Sequence, residues 1–130
     1  MNELPTPTGR EMEILKVLWD LGPSSVRDVH AAVQKEAGEA LAYNTVQTLL
    51  RIMEAKHLVR HHANGRTFIY TPVFSREESA SRFLDRVFDG AASELMLTLI
   101  RAERVTAAEL DRMHALIAEA RGNRRAGGRG

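Results

Sequence analysis

The 130-residue sequence predicts a mainly α-helical protein carrying one small β-hairpin. Three observations lead there. First, a hydroxyl residue is followed three positions later by an acid at Thr8–Glu11, Ser25–Asp28, Ser75–Glu78 and Thr106–Glu109. In such a capping box the hydroxyl accepts from an orphan helix amide and the acid reaches back to the cap, where the positive helix end also favours it. Second, apolar residues at helical spacing follow each of the four pairs. Third, the helical period gives way once, in LVRHHANGRTFIYTPV, to alternation around Asn64-Gly65, a strong short hairpin signal.

After Thr8, a first helix places Met12, Leu15, Leu18 and Trp19 on one stripe, with Ile14 at its edge. Gly22-Pro23 ends it, because Gly tolerates a left-handed C′ position and Pro cannot continue the helix. Trp19 reads as core, with an indole N–H that needs one partner. A second helix follows Ser25 with Val26, Val29, His30 and Val33, and Gly38 lies near its end. His30 sits on its inner edge, as a packed and hydrogen-bonded histidine would. A third helix runs from about Tyr43 to Ala55. The hairpin pairs Leu58–Ala63 with Arg66–Thr71 across a type I′ turn at Asn64-Gly65; Phe68 and Tyr70 share one face, and Pro72 ends the second strand.

From Ser75 the chain turns helical again. Phe83, Leu84, Val87 and Phe88 form a stripe that stops at Asp89-Gly90. The segment Ser93–Ala102 is apolar nearly all round, with Leu95, Met96, Leu97, Leu99 and Ile100, and should be buried on several sides. A last helix from Thr106 carries Leu110, Met113, Leu116, Ile117 and Ala120 at helical spacing. The expected organisation is a mixed domain over residues 1–73, a helical region over 74–121 and a frayed Gly/Arg tail over 122–130. Forty-odd residues rarely bury enough apolar surface to fold alone. Phe83, Val87, Phe88, Leu95, Leu99, Ile100 and Leu116 therefore point to dimerisation through the same segment of a second chain.

Composition narrows the function. Apolar residues make up 44 % and charged residues 27 %, as in globular domains. With no cysteine there is neither a disulfide nor a thiolate metal site, which suits the cytoplasm. No apolar run approaches the roughly 18 residues of a spanning helix, and the N-terminal residues lack the pattern of a signal peptide. Net charge is +1, but unevenly placed. Residues 1–41 carry −3, 42–72 carry +3, 73–121 carry −2 and 122–130 carry +3. A basic segment between acidic ones is the pattern of a localised polyanion-binding surface.

Three helices followed by a two-stranded wing is the order of a winged helix-turn-helix. In that arrangement the third helix enters the major groove of DNA and the wing follows a phosphate backbone. The third helix suits this role. Val46, Leu49, Leu50 and Met53 form one face, while Asn44, Gln47, Thr48 and Arg51 form the other at i, i+3, i+4 and i+7. Asn and Gln can both donate to and accept from adenine, Arg can fork onto guanine, and a Thr methyl can touch a thymine methyl. Tyr43, Thr45 and the first-turn amides suit phosphates. Arg66, directly after the turn, can reach phosphate or the minor groove, and Lys56, Arg60 and His61 would add to the field.

Several segments resemble the penicillinase-repressor family (BlaI/MecI/CopY type) of bacterial transcriptional regulators. REMEILKVLWDLGPSSVRDVHAAV is similar to its opening, and LAYNTVQTLLRIMEAKHLVRH to its recognition helix. GRTFIYTPVFSREE resembles the wing strand with its Tyr-x-Pro ending, and RFLDRVFDGA the stretch after it. The resemblance implies a homodimer on a palindromic double-stranded DNA operator, repressing by occluding a promoter. Position by position it puts DNA contacts on Tyr43, Asn44, Thr45, Gln47, Thr48, Arg51 and Arg66. The family's usual Gly after the recognition helix is here His57. The paired Cys-x-Cys motifs of the copper-responsive branch are absent, which excludes thiolate copper sensing. In the β-lactam-responsive branch a membrane sensor-protease cuts the dimerisation segment. The corresponding place here reads Thr98-Leu99; the resemblance implies a membrane sensor-protease as a partner, and no sequence signal supports the cut.

Other chemistry is not indicated. His61 and His62, as strand neighbours, point to opposite faces and cannot readily share a metal. His114 reads as a helix-surface or interface residue. The carboxylates are dispersed, and neither a nucleophile motif nor a phosphate-cradling loop is present. Neither an enzyme, a metal nor a cofactor is expected. The alternative function is a winged-helix module that binds protein. Such a module would tend to expose apolar residues on the third helix or a strand edge, and would not need the basic 42–72 segment.

Overall fold

The computed structural model describes residues 6–37 and 41–127. Its elements run α1 (Gly9–Leu21), β1 (Ser24–Ser25), α2 (Val26–Ala37), α3 (Tyr43–Ala55), β2 (Val59–Asn64), β3 (Thr67–Pro72), α4 (Arg76–Phe88), α5 (Ala92–Arg101) and α6 (Ala107–Gly127). The expected class, mainly helical with a small sheet, is the one observed. Gly38, expected near the end of α2, lies outside the described residues.

All four capping boxes form. At the start of α1 the Thr8 hydroxyl accepts from the Glu11 amide at 3.2 Å, and Glu11 accepts from the Thr8 amide at 2.9 Å. The same reciprocal pairs join Ser25 to Asp28, Ser75 to Glu78 and Thr106 to Glu109. α1 ends at Gly22, whose φ of 85° is glycine's territory.

The chain divides into two compact units, Met1–Arg82 and Phe83–Gly130. The break falls beyond the expected boundary at 73/74. The reason lies in contacts that hold the start of α4 to the first unit. Trp19 Nε1 donates to the Phe74 carbonyl at 3.0 Å, Arg76 pairs with Asp20 at 3.0 Å, and the Arg82 guanidinium sits 4.2 Å from the centre of the Phe74 ring.

In the first unit α1, α2 and α3 enclose one core with the sheet. Ile14, Val29, Val46, Leu50 and Met53 are completely buried, and Leu18, Val33, Val59 and Tyr70 nearly so. Ile14 is thus at the centre of the α1 stripe and not at its edge, while Met12 and Trp19 pack only partly buried against the core. The sheet has three antiparallel strands in the order β1-β3-β2. β1 pairs Ser24 with Tyr70 and Ser25 with Ile69, a strand too short to show any period in sequence.

The hairpin turn differs from expectation. Asn64 pairs with Thr67, so the two central residues are Gly65 and Arg66 and not Asn64 and Gly65. Gly65 has φ 68°, whereas neither Asn64 nor Arg66 has positive φ. Positive φ at the first central position alone is the type II′ pattern, with Gly where that turn requires it.

In the second unit the helices form where expected, but α5 buries nothing: Leu97 is 39 % and Ile100 42 % exposed. The several-sided burial expected of this segment is not supplied by its own chain. The tail also departs from expectation, because α6 continues through Gly127. Residues 122–126, Gly-Asn-Arg-Arg-Ala, include good helix formers, and Arg124 and Arg125 in the last turn complement the negative helix end.

Candidate nucleic-acid interface

α3 is oriented by its aliphatic side. Val46, Leu50 and Met53 are completely buried, Leu49 is partly buried, and the opposite stripe is left at the surface. Asn44, Thr48 and Arg51 are exposed and Gln47 is half-buried, so none of the four is walled off. The N-cap of α3 is Ala42, which offers no side-chain acceptor to the first-turn amides. Tyr43 and Thr45 are exposed beside them, with the Tyr43 ring edge-on to His30 at 5.7 Å. His30 is packed and hydrogen-bonded, its Nε2 donating to the Leu41 carbonyl at 2.8 Å.

Between α3, the start of α2 and the wing lies an open groove of about 600 Å³. Gln47, Arg51 and Arg66, expected on two separate elements, line it together with Tyr43. Phe68, Tyr70 and Thr67 of β3, Ser25 of β1, and Val26 and Arg27 of the α2 start complete the lining. Among the described residues no acid lines the groove and no carboxylate pairs with Arg27, Arg51 or Arg66. Three uncompensated guanidiniums on a concave wall concentrate positive potential there. Asn44, Thr45 and Thr48 are exposed on α3 outside this lining.

Two side chains expected to add to this field, Lys56 and His61, are otherwise engaged. Lys56 donates to both carboxylate oxygens of Glu11, at 2.8 and 3.0 Å. Glu11 is 2 % exposed; desolvation raises its pKa, but the Lys56 bond, the Thr8 amide and the Lys56 charge outweigh it and hold it below the usual carboxylate range. His61 donates through Nδ1 to Glu54 at 2.7 Å, and its amide donates to the same carboxylate at 3.2 Å. His61 therefore fastens β2 to α3. Burial, and then the Glu54 charge, push the Tyr70 phenol above its ordinary value, so it remains a neutral core group. Among the described residues no group of three His, Cys, Asp or Glu could hold a metal.

Arg27 was missed from sequence. It stands at the second position of α2 and looks like any solvated arginine until the fold brings it beside Gln47. No signal within α2 marks it, since Arg27 and Lys35 are balanced there by Asp28 and Glu36.

A helix presenting amides, hydroxyls and arginine beside an arginine-tipped wing defines a winged-helix DNA-binding protein. Residues 7–119 match the penicillinase repressor family, and the chain belongs to it. It is 24 % identical over 123 residues to the penicillinase repressor of Bacillus licheniformis, covering 92 % of this chain and 94 % of that one. It is 32 % identical over 114 residues to the transcriptional regulator BlaI of Mycobacterium tuberculosis, covering 84 % and 80 % respectively. Among solved structures it is similar to the DNA-binding domain of the repressor BlaI, with a TM-score of 0.51 and 28 % identity over 60 % of this chain and 93 % of that one. A complex of RosR shares the fold at TM-score 0.55 and 19 % identity, over 93 % of this chain and 97 % of that one. The chain is a DNA-binding transcriptional repressor of the BlaI type. Among the described residues no helix is long and apolar enough to cross a membrane.

Proposed function

We propose that this repressor binds a two-fold symmetric operator as a homodimer and silences a promoter by occupying it. The observation that carries the reading is the groove in which Gln47 and Arg51 of α3 meet Arg66 of the wing. Asn44, Gln47, Thr48 and Arg51 read base edges in the major groove: the amides take adenine, the guanidinium takes guanine. Tyr43, Thr45 and the uncapped first-turn amides of α3 hold phosphates, as do Arg66 and Arg27 from either side. Two copies then engage half-sites roughly 34 Å apart, one turn of the duplex.

The second unit supplies the dimer contact. Phe83, Val87, Ile100 and Leu116 stand exposed on its helices at 45, 53, 42 and 55 %, with Phe88, Leu95 and Leu99 half-buried beside them. Release by a sensor-protease at Thr98-Leu99 has no support in the geometry of α5, where both residues lie within an intact helix.

The test is affinity for a duplex selected from a random pool by the wild-type protein. Gln47→Ala and Arg51→Ala should each cost roughly 1–3 kcal/mol and relax selection at one base pair per half-site. Unchanged affinity in both variants would remove α3 from the interface.

A further inference from the structure

One lining residue of the groove is of the wrong kind for a phosphate-binding surface. Phe68 is 48 % exposed on β3, on the same pleat face as buried Tyr70, in a groove that Arg27, Arg51 and Arg66 also line. It is also held rigidly. The His61 ring stacks on it at 4.3 Å between centroids and 28° between planes, and His61 is in turn fixed by two hydrogen bonds to Glu54 of α3. An aromatic ring backed in this way loses little freedom on binding, and apolar contact with sugars or thymine methyls is chemistry open to it.

We infer that Phe68 is a direct apolar contact to DNA, with His61 and Glu54 as the residues that position it. The inference rests on the repressor reading. A ring that leaves water against deoxyribose or a thymine methyl adds affinity without neutralising any phosphate. Its removal should weaken binding without altering the salt dependence, whereas loss of a phosphate contact lowers the slope of log affinity against log salt by about 0.9.

The experiment uses the full chain and the duplex it selects from a random pool. Phe68→Ala should bind about tenfold more weakly, with an unchanged salt slope, at a temperature well below its melting transition. Phe68→Leu, which keeps an apolar surface, should recover part of the loss, and it reports on the contact if the alanine variant folds poorly. Arg66→Ala is the contrast: it should flatten the slope. Uracil is then substituted for each thymine in turn. If the ring meets a methyl, one substitution costs wild type about fourfold and costs Phe68→Ala nothing; if it meets deoxyribose, no step is lost. Unchanged affinity in Phe68→Ala overturns the inference and leaves the repressor reading intact. So does a loss accompanied by a flatter slope, which would mean that the ring acts through Arg66. Failure of wild type to select any duplex would instead refute the repressor reading, and this inference with it.

Discussion

Glu11 and His57 show how much a single residue can carry here. Glu11 serves the Thr8 cap and Lys56 at once, joining the start of α1 to the end of α3. The capping role was legible in the spacing from Thr8; the burial was not, because Lys56 lies far along the chain. Glu11→Gln keeps the size but leaves the Lys56 ammonium without its counter-charge, at a cost of roughly 1–3 kcal/mol at neutral pH. The sign of the pH dependence follows from the lowered pKa. The stabilisation is fully present above the unfolded-state value of about 4.3 and disappears as pH falls through the lower folded value. Urea melts should therefore separate wild type from Glu11→Gln at pH 7, with the gap narrowing as the pH is taken below the ordinary carboxylate range. A gap that persists in acid would show that the charge is not its source.

His57 stands where the family usually has Gly, and its φ of 66° explains the preference. Its amide donates to the Glu54 carbonyl and that of Leu58 to the Met53 carbonyl, at 3.0 and 2.9 Å, which is the Schellman closure of α3. A side chain in this conformation costs about 1–2 kcal/mol, part of which Gly would return as unfolded-state entropy. His57→Gly should raise stability by about 0.5–1 kcal/mol, seen as a higher urea midpoint with the same m-value.

At the scale of elements, local signals carried the reading and long-range ones did not. The four capping boxes and the apolar periods located every helix, because both are written within one or two turns. The wing was visible in its alternation, and α3 in the chemistry of its outer face. Missing were β1, which exists only by pairing with β3, and Arg27, which joins the groove only through tertiary placement. The turn was misplaced by one residue for a related reason: Asn-Gly permits two registers, and the observed cross-strand pairing chose Asn64 with Thr67. That register places Arg66 at the tip and makes Gly65 the strained position. A Cβ at Gly65 would meet nothing within 4 Å, so the cost of Gly65→Ala is conformational alone. It should be about 1–2 kcal/mol. Equilibrium unfolding would measure it, and a neutral effect would mean that the turn can adopt the other register.

The whole molecule divides its apolar residues unevenly. The first unit encloses the core, while α4 and α5 contain no buried residue at all. Phe83 and Phe88 touch each other, with ring centroids 6.3 Å apart, but Phe83 and Val87 remain about half exposed. Exposed apolar patches of this kind are what the proposed dimer would cover, since a two-fold arrangement lets one stripe serve both partners. The first unit has the means to hold one half-site; two together add their binding free energies, less the cost of ordering the pair. Stability and DNA affinity should then share one linkage. Wild type should sediment as a dimer and melt at a temperature that rises with protein concentration. Leu99→Asp or Phe88→Asp should place a carboxylate in that apolar contact and give monomers. Their first unit, whose core contains neither residue, should remain folded and still bind a single half-site, while losing the added affinity of the full palindrome. A wild-type chain that sediments as a monomer at micromolar concentration would leave these side chains without their partner, and the symmetric operator without its reason.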